Sequence, residues 1–272
     1  MMQNKALPTL KGSEKQIKWA TSLRSQLLDK TQRTLGASSF TSGEKELILD
    51  CLSRKMEASW FIDQRFASCD EGFLKSLLEE HEAQESSRDL IRDRFNSYLA
   101  NAGDYVILDT ETTGFKADDE VIELGIIGMD GQTRYSSLFK PKKTIPGEVI
   151  KIHGITNEAV ADAPGFLEAL PEIMEALKDK KVLVYNARFD VKMLNQTAKI
   201  HGAPSLLSLQ DTRCVMEDYA YFHGQYSDYH KSYRPVKLQT ACQLHQIGTV
   251  QDHRATGDCF MTLALIQAVS QG

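Results

Sequence analysis

The sequence predicts an α/β domain over residues 103–272, preceded by a small all-α domain over residues 1–102. Two observations support this division. Residues 1–102 lack the alternation of apolar and polar side chains that marks β-strands, and their apolar residues recur at helical spacing. From Tyr105 onward, short runs of branched apolar residues alternate with segments of helical pattern, which is typical of a mixed sheet flanked by helices.

Composition excludes several classes of protein. With 42% hydrophobic and 25% charged residues, the chain has the make-up of a globular protein that buries a core. No apolar run approaches the roughly 18 residues that a membrane span needs, and the N-terminus lacks the apolar segment of a signal peptide. No membrane partner is therefore expected. The five cysteines form no Cys-x-x-Cys pair, which favours reduced thiols in a cytoplasmic protein over zinc ligands or disulfides.

The all-α domain is expected to contain three main helices, at residues 13–28, 44–56 and 71–99. Ser13 is a suitable N-cap for the first of them. The polar middle of the third leaves open whether that helix is broken or only exposed there. The apolar residues between Trp60 and Phe66 are expected to join the core.

Positive charge is concentrated near the N-terminus. The chain carries a net charge of −5, yet residues 1–34 hold seven basic residues against two acidic ones. The basic residues are Lys5, Lys11, Lys15, Lys18, Arg24, Lys30 and Arg33. Because lysine and arginine bind phosphates regardless of sequence, this domain is a candidate nucleic-acid-binding module. The alternatives are docking on a polymerase, a helicase or another replication or repair protein, and a purely structural brace.

Strands and helices alternate in the α/β domain. Strands are expected from residue 106 to about 111 and at 121–127, 133–139, 181–185 and 206–211. The first three would form an antiparallel meander, with a hairpin at Asp130-Gly131. Helices are expected at 164–177, 189–201, from about 212, and at 238–246 and 256–269.

Asp109 and Glu111 lie at the end of the first of these strands. Because side chains alternate between the two faces of a strand, both carboxylates point to the same side. Two acids so close together repel each other, and a divalent cation makes such a pair favourable because it prefers carboxylate oxygens. The alternative is a strand that ends in a solvated acidic turn.

Three further ionisable residues fall at strand or helix ends. Asp190 opens a helix directly after a strand, where α/β sheets place groups that contact ligands. His253 precedes Asp258 by a spacing that does not stack on one helical face, so His253 is expected on a loop and Asp258 in the first helical turn. Taken singly, each residue is a weak signal, because a lone Asp at a helix start is usually a cap or a partner of the helix dipole.

Together, the segments Asp109-x-Glu111, Asn186-Ala187-x-Phe189-Asp190 and His253-x4-Asp258 resemble the DnaQ-like 3′→5′ exonucleases. More narrowly, these segments look like the subgroup with four acids and one histidine, which includes the epsilon proofreading subunit of bacterial DNA polymerase III, RNase T and exonuclease X. Ile152–Thr156 and Asp211-Thr212 match further segments of that family. The resemblance covers residues 104–270. It implies a ribonuclease-H-like fold, with a mixed five-stranded sheet flanked by helices.

The resemblance also implies a catalytic set and its metal ions. Asp109, Glu111 and Asp258 would hold one divalent ion, Asp109 would also hold the second, and Asp190 would act on the metal site mainly through bound water. Two Mg²⁺ or Mn²⁺ ions would then stabilise the attacking and leaving oxygens of an in-line displacement. His253 would take the proton of the attacking water. The product would be a nucleoside 5′-monophosphate.

Substrate contacts are implied at two turns and one helix start. These residues are Thr112, Thr113, Gly114, Phe115, His153, Ile155, Asn186 and Phe189. His153 has an alternative reading as an ordinary surface histidine.

An aromatic and basic insert between Tyr219 and Arg234 departs from the family pattern. Rings interleaved with cations suit base stacking and tracking of a single-stranded backbone. An aromatic-rich loop folded onto the domain is the equally weighted alternative.

The sequence thus predicts a metal-dependent 3′→5′ exonuclease acting on nucleic acid with a free single-stranded 3′ end, DNA rather than RNA, in DNA repair in the cytoplasm. A 3′→5′ exoribonuclease of the RNase T type is the nearest alternative. A non-catalytic docking module of a replication or repair complex is the alternative from another class, and four clustered acids argue against it. A hydrolase of small phosphodiesters is a third possibility.

Overall fold

The computed structural model describes residues 7–55, 58–227, 229–248 and 253–271. Lys5 and Met56, which belong to the expected basic set and second helix, lie outside these ranges. Among the described residues, no helix combines the length and the apolar character that crossing a membrane requires. All five cysteines are free thiols.

The chain divides into two compact units at Ser86 and Ser87. The first unit is built from α1 (Glu14–Ala37), α2 (Ser42–Arg54), α3 (Ala58–Asp63) and the first part of α4 (Glu71–Ala100). Ser13 and Gln16 form a capping box at the start of α1, which satisfies amide groups that the helix itself leaves unpaired. Thr41 and Glu44 do the same for α2.

The core of the first unit is made by apolar side chains from all four helices, the segment before α1 and the loop before α4. They are Leu10, Ala20, Leu27, Leu35, Ile48, Leu52, Ala58, Phe61, Cys69, Leu74 and Leu77. Phe61 is buried as expected, but Phe66 is 85% exposed, so the apolar run from Trp60 to Phe66 joins the core only in part. Arg24 is also buried and donates to the carbonyl of Pro8, so it serves the fold of this unit.

Helix α4 is continuous over 30 residues, without a break in its polar middle. Its second half belongs to the second unit, where Ile91, Phe95 and Tyr98 enter a core cluster together with Ile107 of the sheet. Arg94 forms an ion pair with Asp218 in the same unit. The unit boundary therefore lies within α4, ahead of the boundary expected at 102/103.

The second unit contains a five-stranded sheet. Its strands are β1 (Tyr105–Thr112), β2 (Val121–Gly128), β3 (Thr133–Leu138), β4 (Lys181–Val184) and β5 (Thr212–Cys214), in the order β3-β2-β1-β4-β5. β2 is antiparallel to β1 and β3, whereas β4 is parallel to β1 and β5 is parallel to β4. The expected meander and the ribonuclease-H-like mixed sheet are both confirmed.

Helices cover both faces of this sheet. They are α5 (Gly147–His153), α6 (Phe166–Leu177), α7 (Ala187–Ile200), α8 (Val215–His223), α9 (Leu238–Leu244) and α10 (Ala255–Gln271). Val106 and Leu108 of β1 face a core shared with α6 and α7, whereas Ile107 faces a core shared with α8, α9, α10 and the end of α4. A two-stranded hairpin, β6 (Tyr226–Ser227) and β7 (Ser232–Tyr233), lies outside the main sheet.

The prediction of a strand at residues 206–211 is wrong. This apolar segment is held by one side chain instead of a neighbouring strand: the Asn195 carbonyl accepts from the amides of Leu206 and Leu207, and its amide donates to the Leu207 carbonyl. The strand begins at Thr212, and the helix that follows begins at Val215. Asp211 is consequently exposed before a strand, not placed at the end of one. Helix α5 was not predicted.

Candidate active site

Three carboxylates converge at the end of β1. Asp109, Glu111 and Asp258 each place one oxygen within 4.8 Å of the others. On β1, the alternate residues Thr110 and Thr112 are buried on the opposite side. The alternation of a strand thus directs both acids toward α10, which carries Asp258 in its first turn. Oxygen donors in this number are what Mg²⁺ or Mn²⁺ prefers, so the residues present fit such an ion.

Asp258 reaches the strand because α10 lies directly against β2. A Cβ atom on Gly125 would stand only 2.7 Å from the amide nitrogen of Thr256, so this contact requires glycine. The Cys259 thiol lies 3.6 Å and 3.5 Å from the carbonyl oxygens of Ile107 and Gly125, on the same side. The absence of a side chain at Gly125 therefore sets the distance between Asp258 and the two acids of β1.

Glu123 on β2 fixes the start of α10. Its buried carboxylate accepts from the Ala255 amide at 3.0 Å and from Nε of Arg254 at 2.9 Å. Glu123 also pairs in register with Glu111 across the two strands. The segment that links His253 to Asp258 is therefore anchored to the strand next to the acids.

Asp190 is held on the other side of β1. One oxygen of its buried carboxylate accepts from both the amide and the hydroxyl of Thr110, at 3.1 Å and 2.7 Å. Asp190 lies in the first turn of α7, directly after β4, as the sequence predicts. It is not part of the group of three converging oxygens among the described residues, and its expected role through bound water stays a prediction.

His253 lies next to Gln239 of α9. The side-chain nitrogen of Gln239 is 3.2 Å from Nε2 of His253, and an amide nitrogen at this distance can only donate. The His253 backbone has φ of +24°, a conformation uncommon outside glycine. The expected loop position of His253, ahead of α10, agrees with these contacts.

Burial and mutual repulsion raise the pKa of the acids. Burial is the main cause for Glu111, whose pKa rises to about 9, and the carboxylates of Asp258 and Glu123 add to it. The pKa of Asp109 is raised well above its usual range by burial and then by Asp190 and Asp258. Burial likewise raises the pKa of Asp190 to about 7, against the opposing hydrogen bonds from Thr110. Without a cation, the site therefore resists full ionisation.

Side-chain hydrogen bonds stabilise the turn after β1. Gly114 has φ of +146°, and a Cβ atom there would lie 2.6 Å from the Asp119 carboxylate. Asp119 accepts from the Thr113 hydroxyl at 2.8 Å, and the Thr112 hydroxyl donates to the Gly114 carbonyl at 2.7 Å. Both threonine side chains are thus used inside the turn. Phe115 is left 75% exposed at its tip.

His153 is a buried support of this turn. Its Nδ1 accepts from the Ile155 amide at 3.0 Å, so Nε2 carries the proton and donates to the Thr112 carbonyl at 3.3 Å. Burial lowers the pKa of His153, which keeps the ring neutral. Both ring nitrogens are hydrogen-bonded within the protein, and the burial of the ring excludes the alternative of an ordinary surface histidine. Ile155 is buried in a small apolar cluster with Ile122.

The start of α7 supplies the last expected substrate residues. Asn186 is exposed at the N-cap position, and its side chain makes no capping hydrogen bond. Phe189 is half-buried and packs against the core beneath α7. Of the eight expected contacts, Phe115 and Asn186 are exposed and Gly114 and Phe189 are partly exposed, whereas Thr112, Thr113, His153 and Ile155 are buried and support them from within.

Sequence reasoning missed four residues that position this site: Thr110, Glu123, Gln239 and Arg254. Glu123 gave a usable signal, because an acid within the apolar run Val121–Ile127 needs a buried partner. Arg254, beside His253, was a suitable partner. Thr110 and Gln239 gave none, since their partners lie on other elements.

Comparison with known proteins places this arrangement in context. A family model described as exonuclease, of the RNase T type, matches residues 106–266. The protein named uncharacterized exonuclease CP81 of Escherichia phage 186 is 34% identical over 175 residues, which cover 62% of this chain and 89% of that protein.

Two further relatives match over shorter or more divergent stretches. The DNA polymerase III subunit epsilon of Treponema pallidum is 37% identical over 95 residues, 34% of this chain and 44% of that subunit. This chain therefore spans less than half the length of that relative. A solved structure of exonuclease X with 5′ overhanging duplex DNA has 23% identity and a TM-score of 0.45, and the match covers 62% of this chain and 92% of that one.

Proposed function

Because the chain belongs to the exonuclease family that its residues 106–266 match, we propose that it is a metal-dependent 3′→5′ exonuclease. It releases nucleoside 5′-monophosphates from single-stranded 3′ ends. DNA is favoured over RNA, because the relative from Treponema pallidum is by name a subunit of a DNA polymerase.

The observation that carries this proposal is the convergence of Asp109, Glu111 and Asp258 within 4.8 Å. These carboxylates would hold one Mg²⁺ or Mn²⁺ ion, and Asp109 would contact a second, with Asp190 acting through water. The ions, when bound, supply the positive charge that stabilises the attacking and leaving oxygens. The raised pKa values of Asp109 and Glu111 support this reading, since a site built for cations is strained without them.

The side chains around this centre have separate tasks. His253 accepts the proton of the attacking water at Nε2, once that water has replaced Gln239 as the hydrogen-bond donor to this nitrogen. Gln239, at 3.2 Å from Nε2, orients the ring before the substrate arrives. The exposed Phe115 ring and the Gly114 backbone meet the terminal nucleotide, and Asn186 offers an amide beside it.

Replication or repair is the process in which we place this activity. The epsilon relative is by name part of DNA polymerase III, and the N-terminal unit of this chain would bind nucleic acid or such a partner. Free thiols at all five cysteines suit a reducing compartment, so we place the protein in the cytoplasm.

A direct test uses 3′-labelled single-stranded DNA, double-stranded DNA and RNA, each with Mg²⁺ or with EDTA. Mononucleotides should appear from single-stranded DNA in Mg²⁺ only. Asp109→Asn should abolish release without loss of the fold, because it removes charge from a repelling cluster. The control is Asp162→Asn, which alters an exposed acid. Release by Asp109→Asn at the wild-type rate would refute the assignment, and preferred release from RNA would favour an exoribonuclease.

A further inference from the structure

The hairpin between α8 and α9 carries features that the proposed chemistry does not use. Tyr226 pairs with Tyr233 and Ser227 with Ser232, and the Arg234 amide donates to the Gln225 carbonyl at 2.7 Å. Asp228, near its tip, lies outside the described residues.

The base of the hairpin is anchored by aromatic packing. Tyr219 is 1% exposed, and the rings of Tyr221 and Tyr226 each meet the ring of Tyr233, at 4.8 Å and 5.3 Å. This part of the insert is folded onto the domain. Its tip is not, because Tyr229 is 90% exposed, and Tyr226 at the base keeps 49% exposure despite its contact with Tyr233.

The segment that follows is basic. Residues 229–248 contain no Asp or Glu, in a chain that is otherwise acidic. Arg234 and Lys237 are both exposed, and Lys237 is the N-cap residue of α9. Positive charge is therefore available to phosphates along this stretch, in contrast to the acids at the end of β1.

This basic segment borders the candidate active site on two sides. The Tyr185 hydroxyl donates to the Val236 carbonyl at 2.7 Å, and Tyr185 directly precedes Asn186. Gln239, two residues after Lys237, contacts His253 at 3.2 Å. The chain from Arg234 to Gln239 is thus fixed between the start of α7 and the expected general base.

We propose that Tyr226, Tyr229, Arg234 and Lys237 form a strand-binding surface for the single-stranded nucleic acid on the 5′ side of the terminal nucleotide. One base stacks on the Tyr229 ring, while Arg234 and Lys237 bind the phosphates that follow. The inference rests on the proposed exonuclease function. It concerns the part of the substrate that lies on the 5′ side of the scissile bond.

The combination of groups supports this occupant. A single exposed aromatic residue is ordinary on a protein surface. Here an exposed ring and exposed cations belong to the same segment, and that segment leads to a site that would receive the 3′ end of the same strand. Stacking on a ring needs an unpaired base, so the surface fits single strands and not duplexes.

Binding can be measured apart from catalysis. The full chain carrying Asp109→Asn is titrated into fluorescent single-stranded DNA or RNA of about 15 nucleotides, within the range of known single-strand sites. Tyr229→Ala should weaken binding by about 5- to 100-fold, the equivalent of one lost base stack, whereas Tyr229→Phe should retain it. Lys237→Glu should make the salt dependence shallower, by about 0.7 or more in slope, and Lys237→Arg should not.

The matched control is Lys178→Glu, which reverses an exposed charge after α6, away from the hairpin in sequence. It should bind as the parent does. The melting temperature of each variant shows whether the fold is kept, and Tyr229→Ala is expected to melt as the parent because its ring buries little surface. Unchanged affinity in both Tyr229→Ala and Lys237→Glu would overturn the proposal. Equal losses for DNA and RNA would support a surface that does not read the sugar.

Activity gives a second, independent readout. In the otherwise wild-type enzyme, kcat/KM for a strand of about 15 nucleotides is divided by kcat/KM for a dinucleotide. This ratio should exceed one and should fall toward one in Tyr229→Ala/Lys237→Glu. A ratio that the double variant leaves unaltered would refute the surface. If the wild type hydrolysed neither substrate but still bound the strand through Tyr229, the exonuclease assignment would fail and the surface would stand.

Discussion

Arg254, which lies between His253 and Asp258 in the chain, pairs with the buried carboxylate of Glu123. Nε of Arg254 lies 2.9 Å from one Glu123 oxygen and 3.0 Å from the other. His253 directly precedes this arginine, and Asp258 follows within the first turn of α10. Glu123 faces Glu111 across the strands. One ion pair therefore compensates an acid beside the three converging carboxylates and also fixes the backbone between His253 and Asp258.

Replacing Arg254 alone should destabilise the protein more than replacing both partners. Arg254→Met leaves Glu123 buried without this counter-ion, and a lost hydrogen bond to a charged group costs roughly 1.5–3 kcal/mol. Glu123→Gln/Arg254→Met removes the charge as well, so part of that loss should be recovered. Denaturant unfolding of the single and double variants measures the coupling, and simple additivity would contradict it. Arg254→Met and Glu123→Gln/Arg254→Met should both lower kcat as well, because the segment between His253 and Asp258 loses its contact with Glu123.

The stability of the metal-free protein should fall as pH rises. Glu111, with a folded-state pKa of about 9, and Asp190, with one of about 7, keep protons that the unfolded chain has already released. The stability from these protonated groups is present at acidic pH and is lost as pH rises through the two values. In EDTA, the melting temperature should therefore decline from about pH 5 to about pH 9.

Adding Mg²⁺ or Mn²⁺ should reduce this decline. An ion that binds only the folded state stabilises it by about 2.7 kcal/mol at a hundredfold excess over Kd. Glu111→Gln should make the melting temperature depend less on pH. The control Asp162→Asn, which alters an exposed acid, should leave this dependence unchanged. A melting temperature independent of both pH and metal would argue against a preformed cation site.

Strand periodicity explains why part of this site could be predicted. Asp109 and Glu111 project to one side because the side chains of a strand alternate with a fixed period. The apolar residues that precede them in β1 identify this strand from the sequence. The contact between Thr110 and Asp190 joins residues 80 positions apart, and no local pattern encodes such a pairing. The same holds for residues 206–211, where Asn195 supplies the hydrogen bonds that a strand partner would otherwise make.

His253→Ala should separate proton transfer from metal binding. Loss of a general base costs a factor of about 10² to 10⁴ in rate, whereas the converging oxygens of Asp109, Glu111 and Asp258 do not depend on the imidazole. The rate should fall while the rise in melting temperature on adding Mg²⁺ persists. Gln239→Leu should lower kcat by a smaller factor, because it removes only the contact to Nε2. Loss of the metal-induced rise in His253→Ala would identify His253 as a ligand or a structural residue.

Two truncations should behave differently, because the second half of α4 packs with the sheet. A chain that starts at Ser87 keeps Ile91, Phe95 and Tyr98 in their core cluster, whereas one that starts at Asn101 removes all three. Removing a large buried side chain typically costs 2–5 kcal/mol, and a domain has only about 5–15 kcal/mol in total. The 87–272 chain should therefore be folded and active, and the 101–272 chain should be unfolded or insoluble, as circular dichroism and solubility will show.

The 87–272 chain also tests the role of the N-terminal unit. Lys11, Lys15, Lys18, Lys30 and Arg33 are exposed there, and each phosphate contact contributes about −0.7 to the salt slope for single strands. The truncated chain should cleave short oligonucleotides at a similar kcat, bind long strands more weakly and show a shallower salt dependence. Affinity and slope equal to those of the full chain would indicate that this unit docks a protein partner. An insoluble 87–272 chain would indicate that it serves as a brace.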